Sequence, residues 1–347
     1  MSKNSKNSEI KCVVWDLDDT LWEGILLESD ELKLKPGIKD ILQSLDSRGI
    51  LHSIASRNNY DMAMEKVKEF KLHKYFLYPE INWNAKYISI EKIQKNLNIN
   101  LDSIMFVDDQ PFERDEVSYV FPEVLCMDAS DYKKLIEHPR LNPKFITSDS
   151  KKRRLFYEKD IMRKEEEERY QGSRKDFLAS LRLQFIISEA MEEDIERAEE
   201  LSVRTNKFNS IGTVFNREEL RKCIDSEDHK LLICKLKNKY GDYGRIGLAL
   251  IQMTEKFWYI RVFLISCRVI SFGAGAVLLS YIMQQAKHNG KKLRAYYRQT
   301  GKNRLMYITF KFANFREIAP DHKGNIILEN NLSIIQPFPL YSEVMIP

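Results

Sequence analysis

No run of about eighteen apolar residues occurs in this 347-residue sequence, which excludes a membrane-crossing helix. The opening Met1-Ser-Lys-Asn-Ser-Lys-Asn-Ser-Glu9 lacks the apolar core of a secretory signal. Cysteine is scarce: five (Cys12, Cys126, Cys223, Cys234, Cys267), an odd number without paired or metal-type spacing. That usage argues against a disulfide framework or a zinc site and leads to the expectation of reduced thiols in the cytoplasm. The formal net charge is only +4, and no basic stripe with interleaved aromatics appears, so nucleic acid is not an expected partner. Neither a tandem repeat nor a low-complexity tract of useful length is present. What remains is a globular composition with charges of both signs interspersed, in a chain long enough for two domains of about 100–200 residues each.

From Ile10 to about Val124, short apolar runs alternate with segments of helical periodicity. Lys11–Trp15, Leu51–Ala55, Tyr75–Tyr78, Ser103–Val107 and Val124–Met127 read as buried strands, with helices over Gly37–Arg48, Tyr60–Phe70, Tyr87–Leu97 and Phe112–Tyr119. This alternation predicts a parallel sheet covered by helices on both faces, with a ligand site at the carboxyl ends of its strands. The pattern changes near Pro139–Pro143. Ser148–Tyr170, containing Lys151-Lys152-Arg153-Arg154 and Glu165–Glu168, reads as an exposed connecting helix with Ser148 or Asp149 as N-cap. Its basic run reads as a solvated face rather than a docking surface for an acidic partner. Beyond Phe177 the pattern predicts helices at Phe177–Leu181, Met191–Val203, Ala274–His288 and Asn303–Lys311, and strands at Lys230–Lys235, Leu293–Tyr297 and Asn325–Leu328. A hairpin is expected over Leu248–Met253 and Phe257–Ile265, giving a mixed α+β domain.

Carboxylates cluster at the ends of the first strands. Val13-Val-Trp-Asp16-Leu-Asp18-Asp19-Thr20 delivers two acids two residues apart, able to divide nucleophilic attack on phosphorus from proton transfer. Crowding them is unfavourable without a divalent cation between them, so the motif implies a Mg2+ site. Ser56, in Ser56-Arg57-Asn58, offers a hydroxyl for a phosphoryl oxygen, and Lys86 an ammonium to neutralise developing charge. Asp108-Asp109 ends another apolar strand in two carboxylates suited to holding the metal. Arg57 and Asn58 are candidate phosphate or substrate contacts, with exposed helix capping an alternative for Asn58. No large insertion separates Asp16 from Ser56, or Ser56 from Lys86, so no cap domain encloses a small substrate there.

Four such elements in order resemble the motifs of the haloacid dehalogenase superfamily. The resemblance implies that Asp16 forms an aspartyl-phosphate, Asp18 is the general acid and base, and Ser56 and Lys86 hold the phosphoryl group. It further implies Mg2+ held by the Asp16 carboxylate, the Asp18 carbonyl and Asp108, with Asp109 close by.

Three stretches stand out in the second half: Ser202–Asn209, Tyr240–Gly247 and Phe263–Val269. Cys267 falls at a strand end between Ser266 and Arg268, ahead of Gly273-Ala-Gly275 and a helix. A neighbouring guanidinium and a helix N-terminus favour the thiolate, the nucleophilic form. A buried structural cysteine is the alternative, and it is the expected reading for Cys12, Cys126 and Cys234 in apolar strands. Cys223 reads as a helix residue without a role. Asp242 and Tyr243, in a glycine-flanked loop, either orient the thiol or form a turn.

Together with Asn82-Trp-Asn-Ala-Lys86, Val107-Asp-Asp-Gln-Pro-Phe-Glu113-Arg114, Arg204-Thr-Asn206-Lys-Phe-Asn209, Ser266-Cys267-Arg268-Val269 and Thr300-Gly-Lys-Asn303, the chain resembles the FkbH-like family from about Lys11 to Arg316. The resemblance implies a haloacid dehalogenase-like phosphatase domain over residues 1–145, a helical linker over 146–176 and a GNAT-like acyltransferase domain over 177–347. It implies an enzyme of polyketide-type pathways taking a glyceryl group from 1,3-bisphosphoglycerate to the phosphopantetheine thiol of an acyl carrier protein, with loss of the 3-phosphate. Cys267 is the expected thiol nucleophile, and Arg204, Asn206, Asn209 and Arg268 are candidate substrate contacts. The sequence departs from the family at Asp19 and Glu23 and in Ile25–Leu34, which leaves the acyl group open. The Arg268…Gly273-Ala-Gly275 run is a loose match to an acyl-CoA pyrophosphate loop, so acetyl-CoA use is not expected.

Overall fold

Cys12-Val-Val-Trp15 is buried along its whole length, and a strand with no wet face belongs at the centre of a parallel sheet. The computed structural model, which describes residues 8–29, 31–205 and 207–347, places it there. The chain divides into two compact units, Met1–Ile161 and Met162–Pro347.

In the first unit the order of elements is β1 (Cys12–Trp15), β2 (Trp22–Glu23), β3 (Lys33–Leu34), α1 (Ile38–Ser47), β4 (Leu51–Ser56), α2 (Tyr60–Glu69), β5 (Glu80–Ile81), α3 (Lys86–Leu97), β6 (Ile104–Asp108), α4 (Pro111–Val120) and β7 (Leu125–Asp128). The sheet order is β5-β4-β1-β6-β7, with all pairings parallel. Alternate residues of β1 enter different cores. Val13 and Trp15 pack with Ile38, Leu42 and Val67 of α1 and α2, whereas Cys12 and Val14 pack with Ile90, Ile93 and Val117 of α3 and α4. The chain therefore winds outward from β1 through β4 to β5, then reverses to β6 and β7. That reversal leaves a crevice at the carboxyl ends of β1 and β6. The short antiparallel hairpin β2–β3 follows β1 immediately.

Two expectations need correction. Tyr75–Tyr78 is not a strand: His73–Tyr75 forms a 3-10 turn, Phe76 makes one bridge to His52, and Tyr78 adopts φ 49°, a left-handed conformation that breaks extension before β5. The charged connector is two helices, α5 (Ser148–Lys151) and α6 (Arg153–Arg169), with Thr147 as the N-cap of the first. Its basic run is not wholly solvated, because Arg153 donates to the Gly49 carbonyl at 2.7 Å and Arg154 to Asp46 at 3.0 Å.

The second unit continues with α7 (Arg174–Ser180), β8 (Leu183–Glu189), α8 (Ile195–Arg204), α9 (Arg217–Ile224), β9 (His229–Asn238), β10 (Gly241–Met253), β11 (Phe257–Ile265), α10 (Ala274–His288), β12 (Lys292–Tyr297), α11 (Arg304–Phe312), β13 (Arg316–Pro320), β14 (Ile326–Asn330) and β15 (Ser342–Met345). Its eight strands run β13-β14-β12-β11-β10-β9-β8-β15, antiparallel except for β11–β12 and β8–β15. The mixed α+β arrangement read from the sequence is present. The sequence reading missed β8, whose alternating burial the charged flanks obscured. One face packs α10 and α11 through Val277, Ile282, Met306 and Phe310; the other packs α8 and α9 through Ile195, Leu201 and Leu220. Strands β11 and β12 pair only over Phe257–Ile260 and Lys292–Ala295, then separate. Phe208–Ser210 occupies the gap, with Ser210 N–H donating to Phe263 O (2.9 Å) and Arg298 N–H to Ser210 O (2.9 Å). No helix among the described residues is long and apolar enough to cross a membrane.

His52 gives the first unit a pH signature. It is fully buried in β4, accepts from Trp15 Nε1 at 3.1 Å through Nδ1, and donates from Nε2 to the Leu42 carbonyl at 3.1 Å. Burial holds its pKa down to about 3. An unfolded histidine titrates near about 6.5, so below that pH the unfolded chain binds a proton that the folded one refuses. Stability is full above that pH and declines as pH falls toward 3. Urea unfolding should show the decline beginning between about pH 6.5 and 5, above most carboxylate titrations. His52→Gln should flatten it; an unchanged slope in that variant would assign the effect elsewhere.

Candidate active site

Asp16 sits one residue beyond β1, and its N–H donates to the Val107 carbonyl at 2.9 Å, which fixes it at the seam with β6. Asp108 closes β6 and Lys86 opens α3, both buried. Lys86 Nζ lies 2.8 Å from Asp16 Oδ1 and also bonds Asp108 Oδ2. Burial alone would push the ammonium toward its neutral form, but the two carboxylates outweigh it and hold its pKa above the ordinary value. Burial, reinforced by the charge of Asp16, pushes the Asp108 carboxyl well above the usual range against the pull of Lys86. Burial and Asp16 likewise raise Asp109, whose Oδ2 accepts from Gln110 Nε2 at 2.6 Å.

Asp18 is held by three donors. Its Oδ1 accepts from Trp22 Nε1 (2.9 Å) and the Leu26 N–H (3.1 Å), and its Oδ2 from Asn58 Nδ2 (2.9 Å). Burial raises its pKa despite these bonds, and repulsion from Asp16 and Asp19 adds to the rise. A carboxyl that keeps its proton more readily than a surface aspartate suits a group that must protonate a leaving oxygen. Trp22 and Leu26 were not anticipated as site residues, although an indole four residues beyond Asp18 was a visible signal.

Asp16, Asp108 and Asp109 each offer one carboxylate oxygen, and these lie within 4.8 Å of one another. Hard oxygen donors in a buried concentration of negative charge fit a divalent cation such as Mg2+. Ser56 closes β4 beside β1 and is buried. Asn58 is also buried and bonds Asp18, so the capping alternative fails; the N-cap of α2 is Asn59, which accepts from the Met62 N–H at 3.1 Å. Arg57 is engaged by Glu113, Glu116 and the Asn84 carbonyl.

In the second unit the three singled-out stretches converge through backbone bonds. Ile265 N–H donates to Phe208 O (3.0 Å) and Ser266 N–H to Ile246 O (2.7 Å), so the turn carrying Cys267 is flanked by the other two. Cys267 is partly buried and opens a 3-10 turn, Cys267–Phe272, that separates it from α10 in the chain. Gly273 then adopts φ 79°, a left-handed conformation that directs the chain into that helix. Arg268 Nε donates to Ser266 Oγ at 3.3 Å, and Arg204 is the partly buried last residue of α8. Asn206 lies outside the described residues.

Asn209 is buried and bonded within a local turn: its Oδ1 accepts from the Ile211 and Gly212 N–H groups and its Nδ2 donates to Thr213 O. Asp242 and Tyr243 do not lie in a loop or turn but within β10, where Asp242 accepts from the Gly244 N–H at 2.7 Å and the buried Tyr243 ring packs against Phe272. Burial pushes the thiols of Cys12, Cys126, Cys223 and Cys234 up, that of Cys234 to about 12, as inert cysteines require. Asn303, fully buried, ties the converging stretches by donating to the carbonyls of Asn209 (2.8 Å) and Arg298 (2.9 Å). In sequence it was only a family marker.

Lys86→Met keeps most of the side chain's length and strands two buried carboxylates. Its unfolding free energy in metal-free buffer should fall by about 3–5 kcal/mol, measured by urea denaturation. A loss well under 1 kcal/mol would mean that the ammonium does not carry the electrostatics of the site.

Residues 18–116 match the model of the haloacid dehalogenase-like hydrolase family. Human magnesium-dependent phosphatase 1 is 27% identical over 119 residues, spanning 29% of this chain and 68% of that protein. Among solved structures, the N-terminal part of a Bacteroides fragilis protein, containing a phosphatase domain complexed with Mg, is 29% identical with a TM-score of 0.31. That likeness covers 39% of this chain and 40% of the other, so this chain spans well under half of that relative. A GNAT-family acetyltransferase from Streptococcus pneumoniae is 20% identical with a TM-score of 0.32, covering 42% of this chain and 98% of its own. The first unit of this chain is thus built around a haloacid dehalogenase-like hydrolase domain.

Proposed function

We propose that this chain is a two-site cytoplasmic enzyme, a glyceryl transferase and phosphatase that loads an acyl carrier protein. The observation that carries the reading is the meeting of three separate stretches at the Cys267 turn, in a chain that also holds the Asp16–Lys86–Asp108 cluster. The donor is 1,3-bisphosphoglycerate, an acyl phosphate already activated for attack by a thiolate. Cys267 Sγ adds to its C1 carbonyl, expels phosphate and keeps a glyceryl thioester. Arg268 and Arg204 are the candidate cations for the substrate anions.

The 3-phosphate is the substrate of the first unit. Asp16 attacks phosphorus, Asp18 protonates the departing glyceryl C3 oxygen, and Asp18 then takes a proton from the water that hydrolyses the aspartyl-phosphate. Ser56 and Lys86 hold the phosphoryl oxygens, and Asn58, Trp22 and Leu26 keep Asp18 aimed. Mg2+ would be held by Asp16, the Asp18 carbonyl and Asp108, with Asp109 close by, and supplies charge neutralisation when bound. The phosphopantetheine thiol of the carrier protein finally accepts the acyl group by thioester exchange.

A second reading, a Mg2+-dependent phosphatase acting alone on a small or protein-bound phosphoester, is favoured by the likeness to the human magnesium-dependent phosphatase. Intact-protein mass separates the two. After mixing with 1,3-bisphosphoglycerate the chain should gain an acyl adduct that is missing in Cys267→Ala. If the alanine variant gains the same mass, the thiol step is wrong. Asp16→Asn, given donor and carrier protein, should yield a phosphoglyceryl carrier or none; normal glyceryl loading would remove Asp16 from the reaction.

A further inference from the structure

Arg57 follows Ser56 directly, where a phosphate-binding cation is expected, yet its bonds run elsewhere. Its Nε donates to the Asn84 carbonyl at 3.3 Å, one terminal nitrogen lies 3.0 Å from Glu113 Oε1, and the other 3.8 Å from Glu116 Oε2. Glu113 is 7% exposed, and its Oε2 has no hydrogen-bond partner among the described residues. A buried carboxylate is tolerated only with a cation beside it, and Arg57 is the cation within salt-bridge distance. Drawing Arg57 away to a ligand would strand Glu113 in the interior.

Both glutamates belong to α4, which Pro111 opens one residue after the Asp108-Asp109 carboxylates, with Gln110 between. The next residue braces the opposite side. Arg114 donates to the Asp108 carbonyl at 2.7 Å and to Asp128 Oδ2 at 2.6 Å at the end of β7. Asn84 stands two residues before Lys86, and Arg57 one residue after Ser56. The first turns of α4 therefore hold the segments that present Ser56, Lys86 and Asp108.

We infer that Glu113 and Arg57 are a positioning pair that locks the Ser56 and Lys86 segments to the helix following the Asp108-Asp109 carboxylates, and that Arg57 is not a phosphate ligand. The inference rests on the proposed phosphoryl chemistry at Asp16. It assigns a task to the Gln110-Pro-Phe-Glu113-Arg114 stretch, which touches none of the reacting groups through its Glu113 side chain.

The test compares Arg57→Gln, Glu113→Gln and the double variant of the full chain, with p-nitrophenyl phosphate and saturating Mg2+. Each single change should lower kcat about 10- to 100-fold, the cost of a misplaced catalytic group. KM and inhibition by inorganic phosphate should stay within about two-fold, and the double variant should be no worse than either single one. Arg57→Lys, which keeps the charge but loses the fork, should recover part of kcat and serves as the folding control. Weaker phosphate inhibition in Arg57→Gln, with none in Glu113→Gln, would overturn the inference and make Arg57 a ligand. Amide hydrogen exchange over residues 82–86 gives a reading independent of turnover. It should quicken in Glu113→Gln, and unchanged exchange there would also overturn the pair's role. A wild-type chain that hydrolyses no phosphoester would defeat the Asp16 reading while the exchange measurement still decides the brace.

Discussion

One ammonium group, that of Lys86, bonds the carboxylates of Asp16 and Asp108 in a place that water scarcely reaches. Two buried aspartates that close would not both stay ionised without it, and neither would be a useful nucleophile or ligand if protonated. The rest of the first unit serves that contact. The parallel pairing of β1 with β6 brings Asp16 beside Asp108, although 92 positions separate them in the chain. The helix α3 starts at Lys86, so the ammonium is delivered from a rigid element and not from a flexible loop. Deep burial raises the pKa of the Asp108 carboxyl, and the same burial makes a cation beside it so favourable.

The second unit solves a related problem with backbone groups. Strands β11 and β12 part after four paired positions, exposing donors and acceptors that must find partners. Phe208–Ser210 supplies them, and Asn303 holds that segment against the start of α11. A side effect of closing the gap is that the segment from α8 is brought alongside the Cys267 turn. In both units a structural need for satisfied polar groups draws chemistry-bearing residues from distant parts of the chain.

Polar residues whose bonds run inside the fold are informative. Arg57 and Asn209 have the chemistry of anion or hydroxyl binders, and their neighbours in sequence encouraged that role. The structure gives both to internal partners, a buried glutamate in one case and a three-residue turn in the other. Asn58 moved the opposite way, from an alternative helix cap to a direct bond with Asp18. A polar side chain bonds to whichever partner lies nearest in the fold, and linear sequence does not record that partner.

The sequence by itself determined the alternation of strand and helix in the first unit, the acids at strand ends and the mixed character of the second. Those are local matters: apolar runs, 3.6-residue periodicity and the residue type that follows a strand are all written in adjacent positions. It also marked Asp16, Asp18, Ser56, Lys86, Asp108 and Cys267, because their chemistry is uncommon at such boundaries. Only the tertiary structure decided that Trp22 and Asn58 restrain Asp18, that Glu113 holds Arg57, and that Asn303 ties Phe208–Ser210 into the sheet. Apart from the local Asp18–Trp22 bond, each is a contact between residues brought together by sheet order and helix packing. Hydrogen-bond partners and buried charges are chosen only when distant segments are brought within about 3 Å of one another.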